Sequence, residues 1–381
     1  MSWIKFRASV LVVFSSLVTP LVFLLGDYFW GHHFVVKDLR NDDKPYLPLE
    51  HGWYELKRNF MGQDQYGPII FPVATDSYGF RKLGSANAQT KYDVIFLGDS
   101  FTYGINGPWH ETFVGMFAQQ SGMRVLNAGV SSYSPTPYLY QYKKAIQYGM
   151  LDKGHSVVIG LDISDVQDEA AIWTWDEKND VHPKKMETKF YDETLSNSEP
   201  TLREKMRKAL PMTAMLYKFF RDRLITNKAD LNIKHLTNLP RSAFTWESWP
   251  TLNKTYPQET PPGYAPLGVE KGLEKVSQRM SQISDMAKKY HGNVYILIYP
   301  WPAQLKYVDK FNWSAWVENL CLKVSCTSVI DTIPHFRKLA TENSDLLADY
   351  YLQGDIHFNE RGNRVLAEHL LKHVPTKPQA H

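Results

Sequence analysis

Cysteine is nearly absent: Cys321 and Cys326 are the only two in 381 residues, which excludes a disulfide-built scaffold. No Cys/His spacing of the zinc type occurs, no glycine-rich phosphate loop and no internal repeat, so neither a metal nor an organic cofactor is implied. An excess of one charge is missing too. The 43 Lys+Arg stand against 40 Asp+Glu, a net charge of +3, too balanced to point to a nucleic acid partner. In an oxidising compartment the two cysteines, close in sequence, could close a local disulfide between a helix end and the next strand. Two buried free thiols are the alternative.

Long hydrophobic runs are scarce, with one exception at the amino terminus. Lys5 and Arg7 precede an almost uncharged stretch from Ala8 to Leu25, about the length that spans a bilayer. The exit Leu24-Leu25-Gly26-Asp27-Tyr28-Phe29-Trp30 offers no small-x-small cleavage site, so an uncleaved anchor is expected over residues 1–26 rather than a removed signal peptide. Positive charge ahead of the segment keeps that end in the cytoplasm and puts the rest of the chain on the extracytoplasmic or periplasmic side, with Tyr28, Phe29 and Trp30 in the interfacial belt.

Residues 27–90 are rich in aromatic residues and proline and are expected to pack over a main domain spanning 91–375. From Tyr92 onward, apolar strand-like runs (Val94–Leu97, Arg124–Asn127, Val157–Asp162, Val294–Tyr299, Ser328–Asp331) alternate with helical patterns (Glu111–Ser121, Pro137–Gly149, Gly268–Tyr290, Asn312–Leu322, and a last helix to about His373). That alternation predicts an α/β fold with helices on both faces of a parallel sheet. It breaks at about 176–262, a polar insertion expected to hold a helical lid or partner-binding segment at Leu202–Ile225 and a Pro/Asn/Thr-rich loop. Residues 376–381 read as a short tail.

The chemistry gathers at two distant places. Gly98-Asp99-Ser100 follows the apolar run ending at Leu97, and Asp355-Ile356-His357 lies far downstream. A serine hydroxyl is a weak nucleophile and needs an imidazole within hydrogen-bond reach and a carboxylate to orient it. Ser100, His357 and Asp355 supply the three. A serine just past a buried strand emerges at the carboxyl end of the sheet, where open α/β folds place their sites, and in an extended Asp-x-His the two side chains share a face.

On these residues the chain resembles the SGNH/GDSL hydrolase family. Gly98-Asp99-Ser100-Phe101-Thr102-Tyr103-Gly104 matches its first block, Asn127-Ala128-Gly129-Val130-Ser131 its second, and Asp355-Ile356-His357-Phe358-Asn359 its last. The resemblance implies a three-layer α/β/α fold around a five-stranded parallel sheet in flavodoxin-like order. It further implies a Ser100–His357–Asp355 triad, an oxyanion hole using the backbone N–H groups of Ser100 and Gly129, and a scaffold role for Asp99. The third block departs: where the family has Gly-x-Asn-Asp, this chain reads Gly160-Leu161-Asp162-Ile163-Ser164-Asp165, leaving Ser164 as the candidate side-chain donor. Losing one oxyanion donor costs on the order of 3 kcal/mol of transition-state stabilisation. Variant third blocks occur among membrane-tethered relatives resembling the alginate and peptidoglycan O-acetylation factors.

Aromatic residues collect around the expected carboxyl edge, with Trp301, Tyr133 and Trp173 as candidates for a sugar-stacking wall. The reading is serine-dependent O-acyl ester chemistry, hydrolysis or transfer, on an extracytoplasmic glycan or similar ester. A weakly catalytic scaffold that binds polysaccharide or a membrane-bound acyltransferase is the rival.

Overall fold

The computed structural model describes residues 18–19, 22–29, 44–66, 69–84, 91–186, 210, 213, 264–306, 311–343, 345–353 and 355–377. The chain divides into two units, Met1–Lys44 with Tyr191–Asp230, and Pro45–Phe190 with Leu231–His381. In the first, residues 22–26 are helical and the Thr213 backbone N–H donates to Asp27 Oδ2 at 2.8 Å. Most of the expected anchor and nearly all of the Leu202–Ile225 helix lie outside the described residues, as does the rest of the insertion from 187 to 263 apart from Leu210 and Thr213. Among the described residues no helix is long and apolar enough to cross a membrane.

The second unit is built on one eight-stranded sheet. Its strands are β3 (Met61–Tyr66), β4 (Ile69–Thr75), β5 (Arg81–Lys82), β6 (Tyr92–Leu97), β7 (Val125–Asn127), β8 (Leu151–Gly160), β11 (Asn293–Ile298) and β12 (Ser328–Asp331), in the order β12-β11-β8-β6-β7-β5-β4-β3. Two short antiparallel pairs stand apart, β1 (Tyr46–Pro48) with β2 (Tyr54–Leu56) and β9 (Trp173–Thr174) with β10 (Lys184–Lys185). From β12 to β7 every pairing is parallel. These five strands follow the flavodoxin-like order that the sequence predicts.

The sheet is nevertheless not five-stranded. Residues 61–82 add three antiparallel strands beyond β7, joined to it through Arg81 opposite Asn127. Without them β7 would leave an edge of unpaired backbone groups, and Phe71 and Val73, alternating along β4, are buried. Residues 61–82 of the 27–90 segment are thus built into the sheet, while β1 and β2 remain a separate pair.

Buried on both faces, the central strands are continuous apolar runs: Val94, Ile95, Phe96 and Leu97 of β6 and Val157, Val158 and Ile159 of β8 have almost no exposed surface. The helices named here are α1 (Ser100–Tyr103), α2 (Phe113–Ser121), α3 (Pro135–Gln147), α4 (Ser164–Ala171), α5 (Val269–Lys289), α6 (Pro302–Lys306), α7 (Trp313–Val324), α8 (Ile333–Glu342), α9 (Leu346–Tyr350) and α10 (Glu360–His373). Right-handed crossovers put α2 on one face of the sheet and α3, α5 and α7 on the other. The packing agrees, since α10 lies against α2 while α5 lies against α3, α4 and α7. A disulfide joins Cys321, in the last turn of α7, to Cys326, just ahead of β12.

Candidate active site

The site is built at the carboxyl ends of β6, β7 and β8. After Leu97 the chain turns sharply into the single-turn helix α1, whose first residue is Ser100. Asp99 caps it, its carboxylate accepting the Phe101 N–H at 2.9 Å. A side chain at Gly98 would collide with that of Thr102, so glycine is what allows the turn to close this tightly. The loop after β7 is bolted to the same helix by Asn127, whose Nδ2 donates to the Thr102 carbonyl at 2.8 Å. Gly129 lies so close that a Cβ there would stand 2.5 Å from the Tyr103 nitrogen.

Across the site, Asp355-Ile356-His357 leads into α10, which Asn359 caps by accepting the Arg361 and Gly362 N–H groups. His357 Nε2 lies 2.7 Å from Ser100 Oγ. Its Nδ1 lies 2.5 Å from Asp355 Oδ1, which also accepts the His357 backbone N–H at 2.9 Å. With the proton on Nδ1 donated to the carboxylate, Nε2 is left to accept from the serine, the tautomer a general base needs. Residues 257 positions apart in the chain thus meet as an aligned hydrogen-bond relay.

Two aromatic rings hold the imidazole. Phe101 lies 4.5 Å from its ring centre, and Tyr66 meets it edge to face at 5.1 Å. The Tyr66 hydroxyl donates to Asp355 Oδ2 at 2.8 Å, so both carboxylate oxygens are engaged. Burial acts to raise the Asp355 pKa, but the hydrogen bonds and charge of His357 and the Tyr66 hydroxyl outweigh it and hold the carboxyl below its ordinary value. Tyr66, at the end of β3, is a residue that sequence reasoning missed. It lies 289 positions from Asp355, and no local spacing announces it.

Two of the oxyanion donors expected from sequence, Gly129 and Ser164, are turned elsewhere. The Gly129 N–H donates to Asn127 Oδ1 at 2.9 Å, because the Asn127 side chain folds back to close its own turn. The Ser164 backbone N–H donates to Asp162 Oδ1 at 2.5 Å, and its side chain acts to lower the pKa of that carboxyl. The N–H of Ser100, first residue of α1, is one of the donors that the start of a helix leaves without an acceptor inside the helix.

The sugar-stacking wall is corrected as well. Tyr133 and Trp173 are 0 % exposed and Trp301 4 %. The first two pack around the buried Trp53, at ring distances of 5.1 and 5.5 Å. The Trp301 indole N–H is spent on Asp162 Oδ2 at 2.6 Å. These rings fill the core beneath the carboxyl edge, and none offers a face to a ligand.

Beneath the nucleophile lie three buried carboxyls, Asp99, Asp162 and Asp165. Asp165 accepts the Tyr138 hydroxyl at 2.8 Å and the Asp162 N–H at 2.9 Å. Burial first, then mutual repulsion, pushes Asp99 and Asp165 well above the carboxylate range, and burial raises Asp162 against the bonds from Trp301 and Ser164. Asp162 also feels the His357 ring. Its place was legible: Leu97 pairs with Ile159 in register, so the residues just past the two strands, Ser100 and Asp162, emerge side by side. Among the described residues no cluster of His, Cys, Asp and Glu is arranged to hold a metal ion.

No protein-family model matches this chain, and no curated protein does. Solved structures that match it include a catalytic mutant of Axe2, an acetylxylan esterase from Geobacillus stearothermophilus, at 11 % identity and a TM-score of 0.38 over 77 % of this chain and 100 % of that one. LAE5, an alpha/beta hydrolase from the metagenome of Lake Arreo, matches at 12 % identity and a TM-score of 0.37 over 75 % and 95 % of the two chains. A putative lipolytic protein of the G-D-S-L family from Desulfitobacterium hafniense matches at 14 % identity and a TM-score of 0.35 over 75 % and 100 %. With TM-scores this low, these likenesses assign neither residue roles nor an activity to this chain.

Proposed function

We propose that this protein carries out serine-dependent O-acyl ester chemistry. The observation that carries the reading is the relay Ser100 Oγ–His357 Nε2, His357 Nδ1–Asp355 Oδ1, at 2.7 and 2.5 Å. In this reading Ser100 Oγ attacks the acyl carbonyl carbon while its proton passes to His357 Nε2. The ester C–O bond breaks, the imidazolium returns the proton to the departing alkoxide, and an acyl-Ser100 ester remains. Water then releases the acid, or a sugar hydroxyl accepts the acyl group, with His357 again as base. The Ser100 N–H is the donor best placed for the oxyanion. Asp355 stabilises the imidazolium that forms in both halves of the reaction.

The substrate in this proposal is an extracytoplasmic glycan or similar ester, and the domain is held at the membrane by the apolar segment at 8–25. It rests on Lys5 and Arg7 ahead of that segment. Protease added to intact spheroplasts should then digest the domain, and a protected domain argues against this topology.

A second reading is favoured by one observation. With the Gly129 N–H engaged and the Ser164 side chain acting on the Asp162 carboxyl, the oxyanion hole is short of donors, which suits a weakly catalytic scaffold that binds polysaccharide or a membrane-bound acyltransferase. One experiment separates the two. The full chain and its Ser100→Ala variant are incubated with a chromogenic acetyl ester, with and without a glycan acceptor, and acid release and transfer are both followed. Turnover lost in Ser100→Ala supports the enzyme; parent and variant equally inert, yet both binding glycan, support the scaffold.

A further inference from the structure

Tyr66 stands on a strand that has no part in the five-stranded parallel core, yet it touches two members of the relay at once. Its hydroxyl reaches Asp355 Oδ2 at 2.8 Å, and its ring stands at 80° to the His357 imidazole with centres 5.1 Å apart. Phe101 packs on the same imidazole, with ring centres 4.5 Å apart. A carboxylate held only through Oδ1 can swing about its Cβ–Cγ bond; one gripped at both oxygens cannot, and its plane fixes the direction in which it pulls on Nδ1.

We infer that Tyr66 is a positioning residue for the proposed reaction, locking the Asp355 carboxylate so that His357 presents Nε2 to Ser100. The inference rests on the reading of Ser100 as nucleophile. It makes the antiparallel ribbon β3–β5 part of the active site as well as the cover of the β7 edge. Electrostatics gives it a signature. A hydroxyl donating to Oδ2 draws negative charge away from the His357 side of the carboxylate, in keeping with its part in holding Asp355 below its usual range. Without that hydroxyl the carboxylate turns more of its negative charge toward the imidazolium that forms in the reaction. The other groups facing His357 are Ser100, the Phe101 ring and the charge of Asp162. A change at Tyr66 leaves the bonds of Asp162 to Trp301 and Ser164 in place.

The test uses the full chain with Tyr66→Phe, which keeps the ring packing and removes only the hydroxyl, and Tyr66→Leu, which removes both. With a chromogenic acetyl ester, Tyr66→Phe should lower kcat by roughly tenfold, the loss of one hydrogen bond to a charged group, while KM stays within about twofold. The acid limb of its kcat/KM profile should move to higher pH. The low-field proton resonance of the His357–Asp355 hydrogen bond should shift, a readout that needs no turnover. Tyr66→Leu should fall further in kcat. If Ser100 of the parent is labelled by a fluorophosphonate and Tyr66→Phe matches the parent in kcat, acid limb and low-field resonance, the inference is overturned and the nucleophile stands. A parent that is neither labelled at Ser100 nor active on the ester overturns the underlying reading, and this inference with it.

Discussion

Arg81 holds the far end of the nucleophile's helix: its buried guanidinium lies 5.0 Å from the Tyr103 ring centre and donates to the Tyr103 carbonyl. The same group reaches the carbonyls of Gly104 at 2.8 Å and Gly107 at 2.9 Å, so one side chain of β5 closes the last carbonyl of α1 and two in the loop that follows. Arg81→Met therefore takes the charged donor from three buried acceptors, of which the Gly104 carbonyl keeps the Gly107 N–H, and should lower the unfolding free energy by about 3 kcal/mol. Arg81→Lys should recover only part of this, because an ammonium lacks the planar fork that spans them. Urea unfolding of the three proteins checks it. A methionine variant within about 0.5 kcal/mol of the parent, the range of a neutral surface change, contradicts the account.

The carboxyl cluster beneath Ser100 predicts a pH dependence with a definite sign. Asp99 is raised well above 3.8 by burial and by the Asp162 charge, so the folded chain holds its proton more tightly than the unfolded chain does. Its contribution to stability is complete below the unfolded value and is lost as pH rises through the folded one. Asp99→Asn keeps an oxygen for the Phe101 N–H, asparagine being as good a cap as aspartate, and removes one charge from the cluster. The variant should be more stable than the parent near neutral pH and lose less stability as pH rises from the acid side. Thermal midpoints across that range decide it, and a variant that tracks the parent in parallel rules the cluster out as the cause.

His369 predicts the opposite slope. On α10 its pKa is lowered from 6.5 to about 4, by burial first and then by His335, Lys372 and His373. The unfolded chain therefore binds a proton that the folded chain refuses between those values, and stability falls as pH drops through that window. His369→Gln should flatten the fall. Unfolding measured at about pH 7 and about pH 5 should show a smaller difference in the variant than in the parent, and equal differences would remove His369 from the explanation.

Much of this architecture is written locally, and what is not has a common physical cause. The strands β6, β8 and β11 are apolar runs because both their faces are covered, and the helix following Asn359 carries its own cap, so pattern alone places them. The ribbon β3–β5 was illegible as sheet. Its strands are half exposed, with Pro72 set inside β4 and paired opposite Gln63, and only the open edge of β7 makes sense of them. The same contrast divides the site. Ser100, Asp355 and His357 announce themselves by neighbours in sequence, whereas Tyr66 works through a contact that only the closed sheet creates. The aromatic wall was misplaced because richness in Trp and Tyr does not say which way a ring faces: Trp301 lies inward because Asp162, itself buried, needs its indole N–H.

That inward-facing network sets the last expectation, for the departure at Gly160-Leu161-Asp162-Ile163-Ser164-Asp165. An oxyanion donor must be free to meet charge that develops only in the transition state, and removing one costs roughly 100-fold or more in kcat. The Ser164 backbone N–H is bonded to Asp162 at 2.5 Å, and its side chain acts on the same carboxyl, lowering its pKa. Ser164→Ala should accordingly change kcat on a simple ester by far less than that. What it should change is Asp162, which loses one of the bonds that oppose its burial, so the variant's stability should fall more steeply toward higher pH than the parent's. A loss near 100-fold with an unchanged pH dependence of unfolding would return Ser164 to the oxyanion hole. It would also mean that the hydroxyl leaves Asp162 when substrate binds.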